Sequence, residues 1–283
     1  IGKISFNSFP TPNLEINNLI THYGSEDINF NIRELIVYPK MSGIYDFQKF
    51  RSKKIGIHDG ILNISLNKIK FLDKFFKSRE RMFLENVDVN ILDDYKDIIT
   101  FKKINYYNYG HKKNIINGKL FNKNFKINIK NNYTKVDFKL LETGISASLN
   151  VLKNEKDSPL IASFEGQVLQ SKFKLNFIYN GNLLINDFFF RAKNLAFDSK
   201  GNIKLKPYFF FDLTHNIKKF DSKLFNLIYI ENLLKFKNII EKINSQNTIF
   251  FESKRLTSNL IDSLEIKTKM AYGRVNIYKK FII

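Results

Sequence analysis

The residue types that most often carry catalysis or bind metals are sparse and scattered in this 283-residue chain. It has no cysteine, which excludes disulfides, thiolate zinc sites, iron–sulfur clusters and cysteine nucleophiles. Its histidines show no metal-ligand spacing such as His-x-x-x-His, and no His-Glu-x-x-His occurs. They are His22, His58, His111 and His215. We therefore expect no bound metal.

The short motifs that come nearest to catalytic patterns have simpler structural interpretations. His58 and Asp59 are the right types for two members of a triad, but they lead directly into Gly60, which favours a turn. The run Gly144 to Ser148 lacks the second glycine of a nucleophile elbow and lies in a strand-like segment. Glycine-rich phosphate loops are absent from the sequence. The sequence predicts a protein that is not an enzyme and has no cofactor.

The charge of the chain is strongly basic, with 46 Lys plus Arg against 27 Asp plus Glu and a net charge of +19. The basic residues divide into 39 Lys and 7 Arg, and 35 Asn accompany them, which is the composition that an AT-rich genome encodes. Selection for phosphate recognition would be expected to enrich Arg. Lys112 and Lys113 beside three tyrosines suggest stacking plus charge, but we interpret them as a strand and its loop. We predict no nucleic-acid partner, and the charge would equally favour an anionic lipid surface.

Alternation of apolar and polar residues dominates the sequence. It predicts strands with one apolar and one polar face. The clearest alternating sets are Leu62, Ile64, Leu66; Val87, Val89, Ile91; Phe125, Ile127, Ile129; Val136, Phe138, Leu140; and Phe173, Leu175, Phe177. Turn signals of the hairpin type separate such runs, namely Asp59-Gly60, Asn117-Gly118, Asn180-Gly181 and Gly201-Asn202. The fold class predicted is therefore mainly β, with antiparallel pairing of successive strands.

Two segments depart from the alternation and predict one or two helices. Over about 221–245, apolar residues recur at spacings of three and four, and Asp221 or Ser222 is suited to cap the start of a helix. A shorter candidate covers 71–79, where the apolar residues also fit a strand. We expect the main helix to pack on the sheet or to plug its end.

The chain is expected to form one continuous module over residues 1–283, with a weak sub-boundary near the polar stretch 153–159. It begins at Ile1, which suggests a piece trimmed from a longer protein. Its longest apolar runs are four residues, whereas a membrane span needs about 18. These residues are not expected to cross a bilayer.

Phenylalanine is unusually abundant, with 29 residues, and includes the triplets at 188–190 and 209–211. A sheet that carries so many apolar side chains on one face forms either a closed core or an open apolar trough. An open trough would suit acyl chains. The candidate lipid-groove residues are Phe125, Ile127, Ile129, Phe173, Leu175 and Phe177.

Eight short segments spread over most of the chain form a recognisable pattern. They are 2–6 (GKISF), 9–16 (FPTPNLEI), 32–39 (IRELIVYP), 54–64 (KIGIHDGILNI), 117–121 (NGKLF), 191–197 (RAKNLAF), 206–209 (KPYF) and 271–275 (AYGRV). Together they resemble AsmA-like proteins of AT-rich alphaproteobacteria, and the Phe-Pro-Thr-Pro segment is the most specific part of the resemblance.

This resemblance implies an elongated, curved antiparallel sheet that forms an open β-groove or half-barrel. It also implies a periplasm-facing protein, anchored to the bacterial inner membrane by a segment missing from this chain. The function expected from it is outer-membrane assembly or homeostasis, through binding or conducting phospholipid along the groove. An alternative is an assembly factor that binds outer-membrane proteins through β-strand augmentation.

Overall fold

A computed structural model shows that the chain is mainly β, which confirms the predicted fold class. It describes residues 2–23, 28–41, 51–69, 72, 80–93, 96–153, 158–204, 209–221, 244–252, 263–271 and 274–282. These residues form 18 strands and two short 3-10 turns, Leu66–Lys68 and Gly110–Lys112. No helix within these ranges is long and apolar enough to cross a bilayer.

The chain divides into two compact units, the first comprising residues 1–130 and 138–142 and the second comprising 131–137 and 143–283. The sub-boundary considered from the sequence, 153–159, lies within the second unit. Eight strands belong wholly to the first unit: β1 (Ile4–Asn7), β2 (Asn13–Tyr23), β3 (Ile28–Pro39), β4 (Ser52–Ser65), β5 (Arg81–Asp93), β6 (Lys96–Tyr107), β7 (Ile115–Leu120) and β8 (Lys123–Lys130).

Strand β9 (Lys135–Leu140) lies at the division. The second unit contains the remaining strands: β10 (Ile145–Lys153), β11 (Leu160–Val168), β12 (Ser171–Tyr179), β13 (Asn182–Arg191), β14 (Leu195–Lys204), β15 (Phe210–Phe220), β16 (Asn244–Glu252), β17 (Ser263–Ala271) and β18 (Arg274–Ile282).

Within each unit, successive strands pair in sequence order, so each unit is built around a meander. Antiparallel pairing joins β1 through β4, β5 through β8, β10 through β15 and β16 through β18. Two pairs, β4 with β5 and β15 with β16, are parallel. A parallel pair needs a crossover connection instead of a hairpin, which explains the long segments before β5 and β16.

A row of irregular residues crosses five neighbouring strands of the first unit, and we call it the bulge row. Four of its members have positive φ angles between 48° and 58°, and Arg33 of β3 completes the row. The four are Asn18 in β2, Asp59 in β4, Asn86 in β5 and Lys103 in β6. At each of these positions a pair is missing from the ladder, and the register shifts there only between β5 and β6.

The apolar alternation changes phase at the bulge row. In β5, Leu84 and Val87 are both buried although they are three positions apart, which regular alternation would put on opposite faces. Ile57 and Leu62 of β4 are five apart and both buried. A single extra residue moves every later side chain to the other face, so the aligned bulges keep one face apolar on both sides of the row.

Side chains on the bulge row connect the strands that it crosses. Arg33 Nη1 lies 3.7 Å from Asp59 Oδ2, and Asn86 Nδ2 donates to Asp59 Oδ1. The Lys103 amide donates to Asp88 Oδ1 over 2.8 Å. These partners satisfy polar groups that the interrupted ladder leaves without a regular strand partner.

The two units differ in how deeply they bury their apolar faces. Most of the fully buried hydrophobic side chains described belong to the first unit, including Ile64, Val87 and Tyr106 at 0% exposure. In the second unit, only Ala162, Ile185, Ile217 and Phe251 among the described hydrophobic residues are fully buried. The first unit therefore has the tighter core, and the second keeps much of its apolar face half-exposed.

Three of the four predicted hairpin turns are wrong. Asp59-Gly60, Asn117-Gly118 and Gly201-Asn202 lie inside β4, β7 and β14, and only Asn180-Gly181 connects two strands. Gly118 is needed for close packing, because an added Cβ would lie 2.8 Å from a ring carbon of Phe125. The glycines inside strands thus provide bulges or make room for neighbouring rings.

The predicted main helix, about 221–245, lies outside the described residues over 222–243. At its C-terminal end the prediction is wrong, because Asn244 and Ser245 begin β16 and pair with Phe210 and Phe211. The shorter candidate at 71–79 also lies outside the described residues, apart from Leu72.

The bulge row predicts opposite effects of glycine at two exposed lysines. Lys103→Gly should stabilise the protein by about 0.5–1 kcal/mol, because a positive φ strains any residue with a Cβ. Lys126→Gly, at an ordinary strand position, should destabilise it by a similar amount, about 0.5–1 kcal/mol. Urea unfolding measures the change in the free energy of unfolding for each variant. Equal destabilisation by the two variants would contradict the backbone assigned to Lys103.

Candidate functional site

A continuous apolar surface on one side of β11 to β14 is the candidate functional site, and we call it the phenylalanine face. Its members occupy facing positions in the ladders, such as Phe164 opposite Leu175 and Phe190 opposite Phe197. All are half-buried. They are Phe164, Phe173, Leu175, Phe177, Phe188, Phe190 and Phe197.

Ring contacts tie neighbouring strands together across this face. The ring centroids of Phe164 and Phe173 are 5.7 Å apart, and those of Phe190 and Phe197 are 5.2 Å apart. Phe188 lies 5.8 Å from Phe197. These distances are in the range of favourable aromatic pairs, so the rings form two groups, one across β11 and β12 and one across β13 and β14.

Phe173 lies flat over Gly166 of the adjacent strand. An added Cβ at Gly166 would overlap the Phe173 ring, since its nearest neighbours are all carbons of that ring. The same arrangement occurs in the first unit for Phe83 over Gly56 and Phe125 over Gly118. The ring shields from solvent the backbone that glycine, having no side chain, would leave exposed. This shielding stabilises the pairing of the two strands.

The opposite side of these strands mixes charged residues with the exposed apolar residues Leu184 and Phe189. Lys174 Nζ lies 2.8 Å from Glu165 Oε1, and Lys218 pairs with Asp198. Strand β12 therefore alternates half-buried apolar residues with polar ones, as the sequence predicts. The face that carries Phe173 has an uninterrupted set of apolar residues that can bind apolar ligands, whereas charged residues interrupt the reverse.

The structure places the six predicted groove residues in both units. Phe173, Leu175 and Phe177 lie together on the phenylalanine face. Phe125, Ile127 and Ile129 lie on β8 of the first unit, where Phe125 is only 2% exposed. Phe125 packs against Phe101 at 5.5 Å and Phe138 at 6.2 Å, so it is a core residue.

Polar side chains follow the phenylalanine face along the same side of the sheet. Ser199 Oγ and His215 Nδ1 are 2.6 Å apart, and the His215 ring meets the edge of Phe197 at 5.9 Å. Burial lowers the pKa of His215, so its imidazole is neutral at pH 7. Among the described residues no carboxylate contacts this pair.

Asn247 of β16 is another polar group on this side, and it is 8% exposed. Its Nδ2 donates to Ser245 Oγ at 3.2 Å and to Thr268 Oγ1 at 3.4 Å, while its Oδ1 has no hydrogen-bond partner. An unpaired buried carbonyl costs about 1–3 kcal/mol. Like Ser199 and His215, this group is uncharged.

The first unit carries an aromatic and basic cluster that the sequence pattern did not reveal, centred on the buried Phe83 on the side of β5 opposite Leu84. Lys54 Nζ lies 4.4 Å from the centroid of the Phe83 ring and within 5.2 Å of those of Tyr38 and Tyr109. This is a cation–π cage filled by a lysine of the same chain. The cage depends on which strands are neighbours, so alternation alone could not reveal it.

Glu85 links two further members of this cluster. His58 Nδ1 lies 3.0 Å from Glu85 Oε2, and Tyr107 Oη donates to Glu85 Oε1 over 2.5 Å. That hydrogen bond, with burial and the charge of Glu85, raises the pKa of Tyr107 to about 12. His58 therefore contacts Glu85 of the neighbouring strand, and the sequence neighbour Asp59 belongs to the bulge row.

The tyrosines considered for base stacking are not free to stack. Tyr106 is fully buried in the core. The Tyr107 ring stacks on Phe83 at 6.1 Å, and Lys112 Nζ lies 4.6 Å above the Tyr107 ring. Single-strand binding needs exposed aromatic faces, and these rings are already occupied. Within the described residues no group of His, Asp or Glu side chains is arranged to hold a metal ion.

The flat packing of Phe173 predicts a compensating pair of substitutions. Gly166→Ala should destabilise the protein by about 1–3 kcal/mol, because the new methyl group overlaps the ring. In a Phe173→Leu background the same change should cost much less. Urea unfolding of the single and double variants gives the interaction free energy between positions 166 and 173. Additive effects would rule out the contact.

The raised pKa of Tyr107 predicts a loss of stability at high pH. The folded protein holds this proton to about pH 12, whereas the unfolded chain releases it near pH 10. The unfolded state therefore binds fewer protons in that window, and stability falls as pH rises through it. In Tyr107→Phe the free energy of unfolding should not show this fall when it is measured between about pH 10 and pH 12. An unchanged pH profile in Tyr107→Phe would exclude the assignment.

No protein-family model, curated protein or solved structure matches this chain. The resemblance to AsmA-like proteins therefore stays a prediction that depends on short sequence patterns.

Proposed function

We propose that this chain is a non-enzymatic lipid-binding protein whose phenylalanine face holds acyl chains. The observation that carries the proposal is the half-exposure of apolar residues at facing ladder positions across four strands. Burying such a surface against acyl chains gains about 25 cal/mol per Å² removed from water. The reverse of the same strands interrupts its few exposed apolar residues, such as Phe189, with charged ones, so binding should be stronger on the phenylalanine face.

The groups beside the face fit the less polar part of a lipid. Ser199, His215 and Asn247 are uncharged hydrogen-bonding groups at the border of the apolar layer. Ester carbonyls and glycerol oxygens of a phospholipid have the matching polarity, since an ionised phosphate would require a cation there. We therefore assign phospholipid acyl chains to the phenylalanine face and the ester region to these polar groups.

The cellular setting in the proposal comes from the AsmA-like resemblance. It makes the protein periplasm-facing and anchored to the bacterial inner membrane through a segment outside this chain. Its role would be outer-membrane assembly or homeostasis, by binding or conducting phospholipid. No nucleic-acid partner belongs to the proposal, and the occupied tyrosine rings support that choice.

A second candidate function is assembly of outer-membrane proteins through strand augmentation, and strand β18 favours it. Val275, Ile277, Tyr278 and Phe281 of this strand are exposed apolar residues. Exposed apolar strands are templates for pairing with another chain. Recovery of a barrel protein in pull-downs that never contain lipid would support this function over lipid binding.

Photo-crosslinking tests the lipid proposal on a single strand. Crosslinkers at Phe173, Leu175 and Phe177 should capture phospholipid, and native mass spectrometry of the purified chain should find it bound. Crosslinkers at Lys174 and Asn176 are the matched controls, because these residues alternate onto the polar side. Equal capture at both sets, or no lipid by either method, would refute the proposal.

A further inference from the structure

The hairpin that joins β7 and β8 ends in an exposed and strained aromatic residue. Leu120 pairs with Lys123, which leaves Phe121 and Asn122 as a two-residue loop with φ angles of 50° and 60°. Loops of this kind strongly favour Asn-Gly, because positive φ is costly for residues with bulky side chains. Phe121 is nevertheless 77% exposed, so packing does not compensate for its backbone.

Two lysines face each other directly beside this loop. Lys102 of β6 is the ladder partner of Lys119 of β7, and both are exposed. Like charges directly opposite in a sheet destabilise it. Exposed Ile98 and Phe121 line the same shallow depression as these lysines, with Asp97 as its one acidic residue. Three features that cost stability or solubility thus occur together.

The second unit repeats this combination at the hairpin between β11 and β12. Val168 pairs with Ser171, and Leu169 in the loop has a φ of 55° with 67% exposure. Lys172 of the same hairpin is the ladder partner of Arg191, and both cations are exposed. The same combination of a strained, exposed apolar loop residue and facing cations therefore occurs in two different hairpins. It is not a peculiarity of the loop at Phe121.

We propose that each of these hairpin tips, considered by itself, docks on an anionic phospholipid bilayer. The exposed Phe121 and Leu169 side chains insert at the boundary of headgroups and acyl chains, and the facing cations contact lipid phosphates. Removal of an apolar side chain from water and attraction of each cation to an anionic surface act together at such a site. The phosphates also relieve the repulsion between the paired cations.

A bilayer fits the tips better than nucleic acid does. Leu169 and Ile98 are aliphatic and have no aromatic face on which a base stacks. The residues that protrude lie at hairpin ends, whereas single strands are bound along grooves. Neither tip residue, Phe121 or Leu169, belongs to the phenylalanine face, so docking of a tip does not require that face to hold lipid.

Vesicle co-sedimentation of the full chain tests the proposal with variants that should not harm folding. Phe121→Asn and Leu169→Gly introduce residues that tolerate positive φ, so their melting temperatures should stay equal or rise. Each should weaken binding to vesicles of phosphatidylcholine mixed with phosphatidylglycerol by about tenfold. Ile61→Asn removes an apolar side chain that is 45% exposed on β4, outside both hairpins, and should bind like the unmodified protein.

The charge part of the proposal has its own variant and control. Lys119→Glu converts the Lys102 pair into an attractive one, so it should stabilise the fold and weaken vesicle binding. Lys204→Glu changes the net charge equally on an exposed residue far from a like-charged partner in its ladders. It should weaken vesicle binding less than Lys119→Glu does. Binding should also decline with added salt.

Three results would overturn the proposal. The first is equal binding by the unmodified protein and by both tip variants. The second is equal binding to vesicles of pure phosphatidylcholine. The third is preferential binding of a single-stranded oligonucleotide that depends on Phe121, which would assign the tip to nucleic acid.

Discussion

The core of the first unit can form only if the apolar side chains stay on the same side of the sheet on both sides of the bulge row. A strand with an unmatched extra residue would turn its later apolar side chains toward solvent. Here five neighbouring strands change phase in line, so Ile57 and Leu62, like Leu84 and Val87, share one core. The hydrogen bonds of Asp59, Asn86 and Asp88 hold the row together where the ladder is interrupted.

The contrast between the two apolar faces shapes the functional interpretation. The first unit encloses rings such as Phe125 and Tyr106, which act as ordinary core residues. The phenylalanine face of the second unit has equally apolar residues that remain half-exposed. The open alternative considered from the sequence therefore applies to Phe173, Leu175 and Phe177, and the closed alternative applies to Phe125.

Alternation predicted the strands well because burial on one face constrains every second residue. It placed Phe173, Leu175 and Phe177 on one surface, and the structure agrees. Turns were harder to predict from the sequence, because glycine occurs both in loops and at strand positions where a neighbouring ring packs closely. Gly60 and Gly118 lie within strands, whereas Phe121 and Leu169 occupy turns that their residue types disfavour. The cage around Lys54 joins residues from several strands, and only the register of the sheet brings them together.

Pairing of strands in sequence order affects how the sheet folds and how its length can change during evolution. Most paired strands in each unit are neighbours in the chain, so each hairpin can form before its neighbours and extend the sheet one strand at a time. The two parallel pairs are the exceptions, and closing their long connections should be the slower steps. Inserting or deleting a whole hairpin within a meander would preserve the registers on either side. Evolution can therefore lengthen or shorten such a sheet in units of two strands.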